Sequence, residues 1–384
     1  MTNLKDKSFW ILIFSYCLYL VSISLVIWIF HLVFDLPPSN VSLKDTLWGI
    51  WGYGWDGWHY LSIATTGYSF PNQAFFPLYP LLVKFFDLFL PLSLSYRVNL
   101  LLLPVLFWLL LRLATAMGIQ ESKKTIAVLV FLLFPTAFIL QANYTETLFI
   151  VISAATLLLL LNKRFWLAAI FCGLATATRV NGLALAVVVL LAFAVHNKHA
   201  LTKISTTAKT SLIGLICGLG LIFYFVYLHY TFGSFQVFFE AEREWFKSPA
   251  SIVSTPLTIT GSLIYALPNT VNVITNPPPS LFDRKQAVRG LFEPLFVAFG
   301  LFLLIFSWRK IRWELYLFSL LNFLLPLASG STVSLGRYLL LMYPAILYFG
   351  ARLQGSSFLP LYIFVATLLQ GLFIILFVNN VFIV

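Results

Sequence analysis

Charged residues are scarce in this chain, and acidic residues are the scarcest of all. Only 13 of the 384 residues are Asp or Glu, and charged residues together make up 10% of the chain. A soluble domain of ordinary composition carries about 25% charged residues. Hydrophobic residues instead reach 60%, and the mean hydropathy is +0.93. The shortage of charge excludes an ordinary soluble domain and predicts an integral membrane protein.

Cysteine is also nearly absent from the sequence. Cys17, Cys172 and Cys217 lie inside apolar runs, which indicates neither a disulfide framework nor a cysteine metal site. The net charge of +11 could suggest a nucleic-acid partner. However, the basic residues flank hydrophobic segments, as membrane topology requires, and form no patch with a nucleic-acid-binding fold. We therefore predict the lipid bilayer as a partner and no nucleic acid.

Long apolar runs fill most of the sequence. About 20 apolar residues suffice for one transmembrane helix, and several runs approach that length. They predict an all-α polytopic membrane protein with a single transmembrane domain over residues 1–384. Gly214 and Gly218 form a pair of small residues four positions apart, which favours close helix packing. About eleven spans are predicted, at approximately 9–34, 97–117, 125–141, 145–162, 164–180, 181–196, 211–232, 291–308, 313–329, 337–351 and 359–380.

The segment 75–92 is apolar enough to resemble a further span, but its composition differs. Lys84 and Asp87 interrupt it, and Pro77 and Pro80 stand near its start. We interpret it as a helix that lies in the membrane interface or is partly re-entrant. If it crossed the membrane, several basic loops would move to the outer face, against the positive-inside rule.

This topology gives the protein a cytoplasmic N-terminus and two long loops on the outer face. The loops cover residues 35–96 and 233–290. Residues 9–34 are too long for a signal-peptide core and lack a clear cleavage site, so we interpret them as a retained span. The absence of appended signals favours a prokaryotic plasma membrane.

Polar residues that are costly in a membrane fall on one side of it under this topology. Ionisable residues at membrane depth are expensive and usually functional. None of these positions was used to choose the topology, so their convergence predicts a site on the outer face. The residues are Asp56, His59, Tyr144, Glu146, Arg179, Asn181, Arg337 and Tyr338.

Each ionisable residue of this set also has a structural interpretation. Arg179 can extend to the outer headgroups, and Arg337 can anchor a helix at the interface. Glu146 can stabilise the start of the fourth span through the helix dipole. Asp56 can be the N-cap of a following helix, and His59 can be a packing residue. The sequence alone leaves these alternatives open.

The chemistry of the set suits an anionic, lipid-linked substrate. Arginine binds phosphate through a planar fork of donors, and more strongly away from water. A neighbouring carboxylate can serve as a general base. Trp and Tyr rings suit a site that is apolar on one side and wet on the other.

Five sequence motifs carry a resemblance to a known family. "WDGWHYLSIATTGY", followed by "NQAFFPLYPLL", resembles the GPI mannosyltransferase II (PIG-V-like) family, whose members have the GT-C fold. Later family segments are similar to "FPTAFILQANYTETLF", "LATATRVNGLAL", "FGSFQVFFEAEREW" and "GRYLLLMYP", with Val180 where proline is common. The matches run in order from about residue 50 to 345.

The resemblance implies a membrane glycosyltransferase. It implies a polyprenyl- or dolichyl-phosphate sugar donor, most often of mannose, and inversion at C1 as the sugar joins an acceptor hydroxyl. Asp56 matches the functional acid of the first outer loop, and Glu146, Arg179 and Arg337 match later segments. No second acid stands two residues after Asp56. A divalent metal therefore lacks the support of a paired-acid motif, and no cofactor is certain.

We hypothesise a direct displacement with Asp56 and His59 as the catalytic residues. Asp56 takes the proton of the acceptor hydroxyl, while His59 orients Asp56 or contacts a sugar hydroxyl. Arg179 and Arg337 bind the donor phosphate, and no metal ligand is assigned. Further substrate-binding residues are predicted at Trp55, Trp58, Tyr144, Glu146, Asn181, Tyr338, Glu240 and Trp245.

Several alternatives stay open. One alternative is that Glu240, Glu242 and Glu244 help to recognise the acceptor or close the site, and the other is that they form the solvated face of a loop helix. The protein could also be a transporter or flippase of lipid-linked sugars, or a non-catalytic scaffold. Polar residues gathered at one face, without symmetry between two halves, disfavour a transporter. The sequence does not identify the sugar or the acceptor, which could be a glycolipid, a protein or a cell-wall polymer.

Overall fold

A computed structural model describes most of the chain. The description covers residues 7–34, 55–90, 97–197, 204–245, 281–328 and 334–378. Within these ranges, the side chains of 22–24, 26–34, 245, 281–290 and 378 are outside the description. The predicted outer loops 35–96 and 233–290 therefore lie only partly within the described residues.

The described residues form helices and no strands, which confirms an all-α protein. Two short 3-10 helices, Asn72–Ala74 and Ala137–Gln141, accompany the α-helices. The α-helices in these ranges are α1 Lys7–Phe34, α2 Asp56–Thr66, α3 Leu78–Asp87, α4 Val98–Ala116, α5 Glu121–Leu132, α6 Glu146–Leu161, α7 Phe165–Thr176, α8 Asn181–His196, α9 Ile204–Phe232, α10 Val237–Trp245, α11 Leu281–Ser307, α12 Trp313–Ala328, α13 Leu335–Leu340, α14 Tyr343–Leu353 and α15 Phe358–Val378.

Three of the described helices are long and apolar enough to cross a membrane. They are Val98–Ala116, Ile204–Phe232 and Phe358–Phe377. Six shorter apolar helices accompany them, over Lys7–Val21, Glu146–Leu161, Phe165–Thr176, Asn181–His196, Leu291–Ser307 and Trp313–Ala328. These apolar helices agree with a membrane protein, whereas the number of spans stays a prediction.

Several predicted spans have different boundaries in the structure. The span predicted at 125–141 is α5 followed by a break and a 3-10 helix. The break occurs because Pro135 has no backbone N–H and interrupts the hydrogen bonds of the α-helix. The span predicted at 337–351 is divided between α13 and α14. The sequence indicates helix α2 only indirectly, through the possibility that Asp56 is the N-cap of a following helix.

Helix α3 has the length expected of an interfacial helix. Its ten residues extend over about 15 Å, too short to cross a hydrocarbon core of about 30 Å. One side buries Tyr79 and Val83, whereas Leu81, Phe85 and Phe89 are exposed. This amphipathic pattern supports the interfacial interpretation of 75–92, and its depth in the membrane stays a prediction.

Helices α7 and α9 approach each other closely at Gly220, which is not part of the predicted glycine pair. A Cβ atom on Gly220 of α9 would be 2.2 Å from the carbonyl oxygen of Gly173 in α7, so the two backbones touch. Gly214 and Gly218 have ordinary surroundings, with nothing nearer than 3.4 Å to an added Cβ. The predicted close packing of this helix is therefore present, but the backbone approach is at Gly220 rather than at Gly214 or Gly218. Only glycine allows this approach.

The backbone between α5 and α6 is buried although little of it is α-helical. Residues 136–150 are all buried, so any carbonyl left without a donor there would be costly. Polar side chains from distant helices supply donors, which explains how non-helical backbone persists at this depth. The contacts are Asn99 Nδ2 to the carbonyls of Ala142 and Tyr144, and Gln370 Nε2 to those of Leu132 and Phe134. In the opposite direction, Thr136 Oγ1 of this segment donates to the carbonyl of Gly336.

Candidate active site

Four charged side chains from distant parts of the chain form one continuous row. Asp56 Oδ2 lies 2.5 Å from Arg337 Nη1, and Arg337 Nε lies 3.7 Å from Glu146 Oε1. The same Glu146 oxygen lies 2.5 Å from Arg179 Nη1. We call these four residues the charge ladder. Its two carboxylates and two guanidinium groups alternate, so each charge has an opposite neighbour and the formal charges sum to zero.

Both acids of the charge ladder occupy the first position of a helix. Asp56 opens α2 and Glu146 opens α6, where the helix dipole favours a negative charge. Asp56 is therefore not an N-cap, and that interpretation is wrong. Trp55 holds the cap position with φ 51° and gives no side-chain cap. Asn143 Nδ2 donates to the carbonyl of Gly57 at 2.8 Å, which ties the first turn of α2 to the buried segment before α6.

Arg337 is fixed by the short helix α13. Its Nη2 donates to Ser334 Oγ at 3.3 Å, and its guanidinium lies 5.3 Å from the ring centre of Tyr144. The Tyr144 hydroxyl also hydrogen-bonds to the backbone of Asp56. Tyr144 therefore contacts both members of the Asp56–Arg337 pair.

Arg179 lies in the tight turn between α7 and α8. Its Nη1 also donates to Thr145 Oγ1 at 2.9 Å, and its Nε lies 3.4 Å from Asn181 Oδ1. The guanidinium stacks at 5.2 Å over Tyr338. A Cβ on Gly182 would lie 2.5 Å from the Thr176 backbone, so glycine lets the two helices meet closely enough to form this turn.

Asn322 in α12 hydrogen-bonds to Asn181, which in turn contacts Arg179. Asn181 Nδ2 donates to Asn322 Oδ1 at 2.9 Å, and Asn322 Nδ2 donates to the carbonyl of Phe318. Asn181 and Asn322 are both fully buried. The orientation of Arg179 is thus linked to the interior of α12.

Asp56 is the most exposed member of the charge ladder, and Glu146 is the least exposed. The Glu146 side chain is 0% exposed, those of Arg337 and Arg179 are 9% and 10% exposed, and that of Asp56 is 22% exposed. A substrate that enters from outside can reach Asp56 first. Glu146 instead neutralises the two arginines from within.

His59 lies one turn after Asp56 and has a defined partner. Its Nδ1 lies 2.6 Å from Asn72 Oδ1, and its ring stacks on Phe75 with centres 4.9 Å apart. An amide oxygen only accepts, so the hydrogen resides on Nδ1, and a neutral ring then carries an acceptor on Nε2. The sequence predicted no role for Asn72, which is buried in a short 3-10 helix.

The remaining predicted site residues lie around this centre at different distances from it. Trp55 and Trp58, the neighbours of Asp56 at the start of α2, are 37% and 56% exposed. Glu240 is exposed on α10, and no ion pair or hydrogen bond between described residues joins it to the charge ladder. The side chain of Trp245 lies outside the described residues.

Helix α10 nevertheless contacts the segment that supports His59. Phe238 packs on Phe76 and Tyr224, and the Tyr224 hydroxyl donates to the carbonyl of Gln73 at 2.6 Å. Glu242 of α10 is partly buried, and this burial raises its pKa to about 7. The face of α10 that carries Glu242 is therefore not simply solvated.

The described side chains form no cluster that could hold a metal. No group of three or more His, Cys, Asp or Glu residues comes together in these ranges. Sequence reasoning also overlooked Thr145, Ser334 and Asn322, which all contact the charge ladder or its supports. A usable signal existed for Asn322, because an amide within an apolar span is costly.

The chain matches a known family of enzymes over more than half of its length. The family model described as Mannosyltransferase (PIG-V) matches residues 30–254, more than half of the chain. The chain belongs to the mannosyltransferase (PIG-V) family. The matched region contains Asp56, Glu146 and Arg179, whereas Arg337 lies beyond it. The charge ladder thus joins the part of the chain that matches the PIG-V family to a helix outside the match.

Individual relatives agree with this membership. The chain is 32% identical over 165 residues to GPI alpha-1,6-mannosyltransferase 2 of Cricetulus griseus, which covers 38% of this chain and 33% of the relative. The Mus musculus protein of the same name is 32% identical over 157 residues, covering 38% and 31%. The chain thus matches about a third of the length of these curated relatives. No solved structure matches the chain.

Proposed function

We propose that this protein transfers a mannosyl residue from a polyprenyl- or dolichyl-phosphate donor to an acceptor hydroxyl on the outer membrane face. One observation carries the proposal: the charge ladder, partly exposed at Asp56, in a chain of the PIG-V family. It combines an acid that can take a proton with guanidinium groups that can bind phosphate.

The proposed reaction is a single displacement at C1 of the sugar. The acceptor oxygen forms a bond to C1 while the bond from C1 to the donor phosphate oxygen breaks, which inverts C1. The hydroxyl proton passes to Asp56, and the bond electrons leave with the lipid phosphate. That phosphate gains one negative charge, so positive charge placed in advance is the main requirement.

Arg179 offers the better site for this phosphate. In the described part of the chain, its contacts use Nη1 and Nε, which leaves Nη2 for a further acceptor. Arg337 instead donates through Nη1 to Asp56 and through Nη2 to Ser334. A donor phosphate that shares Arg337 loosens its pairing with Asp56. Donor binding would then free the Asp56 carboxylate to accept the hydroxyl proton when the acceptor arrives.

His59 and the two tryptophans complete the proposed site. A neutral His59 that donates to Asn72 from Nδ1 can accept a hydrogen bond from a sugar hydroxyl at Nε2. Trp55 and Trp58 are exposed next to Asp56, where flat rings can stack on the apolar face of a sugar. The multi-pass arrangement with a cytoplasmic N-terminus and a site on the outer face of a prokaryotic plasma membrane is part of this proposal.

The identity of the donor can be tested directly. Purified protein in detergent would be incubated with radiolabelled polyprenyl-phosphate-mannose or polyprenyl-phosphate-glucose, and release of polyprenyl phosphate would be followed with a mixture of membrane glycolipids as acceptors. The proposal predicts release from the mannose donor at a rate at least about tenfold above that from the glucose donor. Equal rates would contradict mannose specificity. Saturable binding of both donors with no release from either would contradict transferase activity toward these acceptors.

A further inference from the structure

A cavity lies away from the charge ladder, beside the start of α15. It has a volume of about 630 Å³, within the usual range of ligand-binding pockets of roughly 300–1,000 Å³. Its walls come from the end of α11, the end of α14 and the start of α15. They include Phe306, Phe349, Arg352, Phe358 and Leu361.

Helix α15 shows that this cavity and the charge ladder lie at opposite ends of one candidate span. Phe358 and Leu361 at its start border the cavity, whereas the ring of Phe377 near its end lies 6.2 Å from that of Tyr144. Nineteen residue steps of α-helix extend over about 28 Å, close to the hydrocarbon thickness of about 30 Å. If the ladder faces one side of the membrane, the cavity opens at the other.

The walls of the cavity are apolar with one prominent charge. Three phenylalanines of the lining, Phe302, Phe306 and Phe349, pack against one another with ring centres 5.4–5.8 Å apart. Arg352 is exposed at the end of α14. No carboxylate among the described residues pairs with it. Such walls suit an alkyl chain, and the charge suits an anion at its end.

The guanidinium of Arg352 is held in place rather than loose. Its Nε donates to the Tyr348 hydroxyl at 3.1 Å, and the group stacks 5.3 Å above the Tyr348 ring. The Tyr348 ring in turn lies 5.7 Å from that of Phe306. Arg309 and Lys310 lie in the turn that follows α11, so two further basic residues stand next to this end of the helix.

We propose that this cavity binds one anionic phospholipid of the membrane leaflet opposite the charge ladder. An acyl chain lies among the phenylalanines, and the headgroup phosphate contacts Arg352. Basic pockets between transmembrane helices are typical sites for anionic headgroups. The proposal requires only a membrane protein and does not depend on sugar transfer.

Lipid retention measured by native mass spectrometry tests this proposal. Full-length protein would be purified in micelles with equal amounts of phosphatidylglycerol and phosphatidylcholine that carry the same acyl chains. We expect one retained phosphatidylglycerol, preferred roughly five- to tenfold over phosphatidylcholine. Arg352→Gln should make retention of the two lipids equal. The matched control is Arg164→Gln, an exposed arginine in the turn between α6 and α7, which should keep the preference.

A second variant tests the position of the lipid. Val365 borders the cavity and is 42% exposed, so Val365→Trp can fill the space without disturbing the core. It should lower the retention of phosphatidylglycerol at least about fivefold while Arg352 stays intact. Equal retention of both lipids by the wild type would overturn the proposal. So would equal effects of Arg352→Gln and Arg164→Gln, or normal retention by Val365→Trp.

Discussion

Arg337 and Asp56 are separated by 281 residues in the chain and form an ion pair 2.5 Å long. The pair joins the first turn of α2 to α13. Glu146 extends it to Arg179, so four segments that are distant in sequence meet at one row of charges. Removing one partner of a buried ion pair leaves the other charge uncompensated in a place with little access to water. The stability of the site should therefore be sensitive to single substitutions in the charge ladder.

Replacing Glu146 should destabilise the whole protein. Glu146→Gln keeps the volume of the side chain but leaves Arg179 and Arg337 short of negative charge in a buried place. Loss of one partner of a buried pair lowers the free energy of unfolding by about 3–5 kcal/mol. Thermal unfolding in detergent would measure the change. Glu240→Gln is the control, because the Glu240 side chain is exposed and forms no ion pair with a described residue, so its replacement should change the stability little. Equal stability of the two variants would contradict the role of Glu146.

Asn322 should act on donor binding through Asn181 and Arg179. Asn322→Leu leaves the buried amide of Asn181 without its acceptor, a loss of about 1–3 kcal/mol. We expect the KM for the lipid donor to rise roughly fivefold or more, with a smaller change in kcat. Ser319→Ala in the same helix is the control, because the Ser319 hydroxyl contacts only the carbonyl of Leu315 among described residues. A fall in kcat at constant KM would contradict a positioning role.

The partner of His59 can be exchanged without removing the histidine. Asn72→Leu removes the acceptor for Nδ1 and should lower kcat about tenfold or more, since the ring loses its orientation. Asn72→Asp keeps an oxygen acceptor and should retain most of the activity. Steady-state rates of both variants with the lipid donor would decide. If both variants behaved alike, the hydrogen bond to His59 would not be the cause.

Glu242 should make stability depend on pH near neutrality. Burial raises its pKa from 4.5 to about 7, so the folded protein holds this proton more tightly than the unfolded chain does. The stabilisation is complete below pH 4.5 and is lost as the pH rises through 7. Glu242→Gln should therefore raise the melting temperature at pH 8 by an amount equivalent to roughly 1–3 kcal/mol, and change it little at pH 4. The exposed neighbour Glu240→Gln should change neither value. An equal effect of Glu242→Gln at both pH values would contradict this account.

The composition of the site could be predicted because polar residues stand out in so apolar a chain. Asp56, Glu146, Arg179 and Arg337 form one group because the predicted topology places all of them on the outer face. Their pairing could not be predicted, since it depends on the length of the breaks between helices. The sequence predicts that Glu146 binds substrate, whereas in the structure this most buried member of the ladder contacts Arg179 and Arg337.

Helix boundaries were less predictable than the helices themselves. Hydrophobic runs located α4, α6, α8 and α15 closely, because each is one uninterrupted apolar helix. The break after α5 was not predicted. Its backbone is stabilised there by side chains from elsewhere in the chain, such as Asn99 and Gln370, and a local pattern does not reveal such distant donors.

The role of Asp56 is the central claim, and it is tested most directly by single-turnover cleavage of radiolabelled polyprenyl-phosphate-mannose in the presence of a mixture of membrane glycolipids as acceptors. Donor binding would be measured separately on the same samples. We expect Asp56→Asn to bind the donor within a few-fold of wild type and to cleave it about 10²–10⁴-fold more slowly. Asp87→Asn, an exposed acid at the end of α3, should cleave at the wild-type rate. Near-normal cleavage by Asp56→Asn would contradict the assignment of Asp56 as the base.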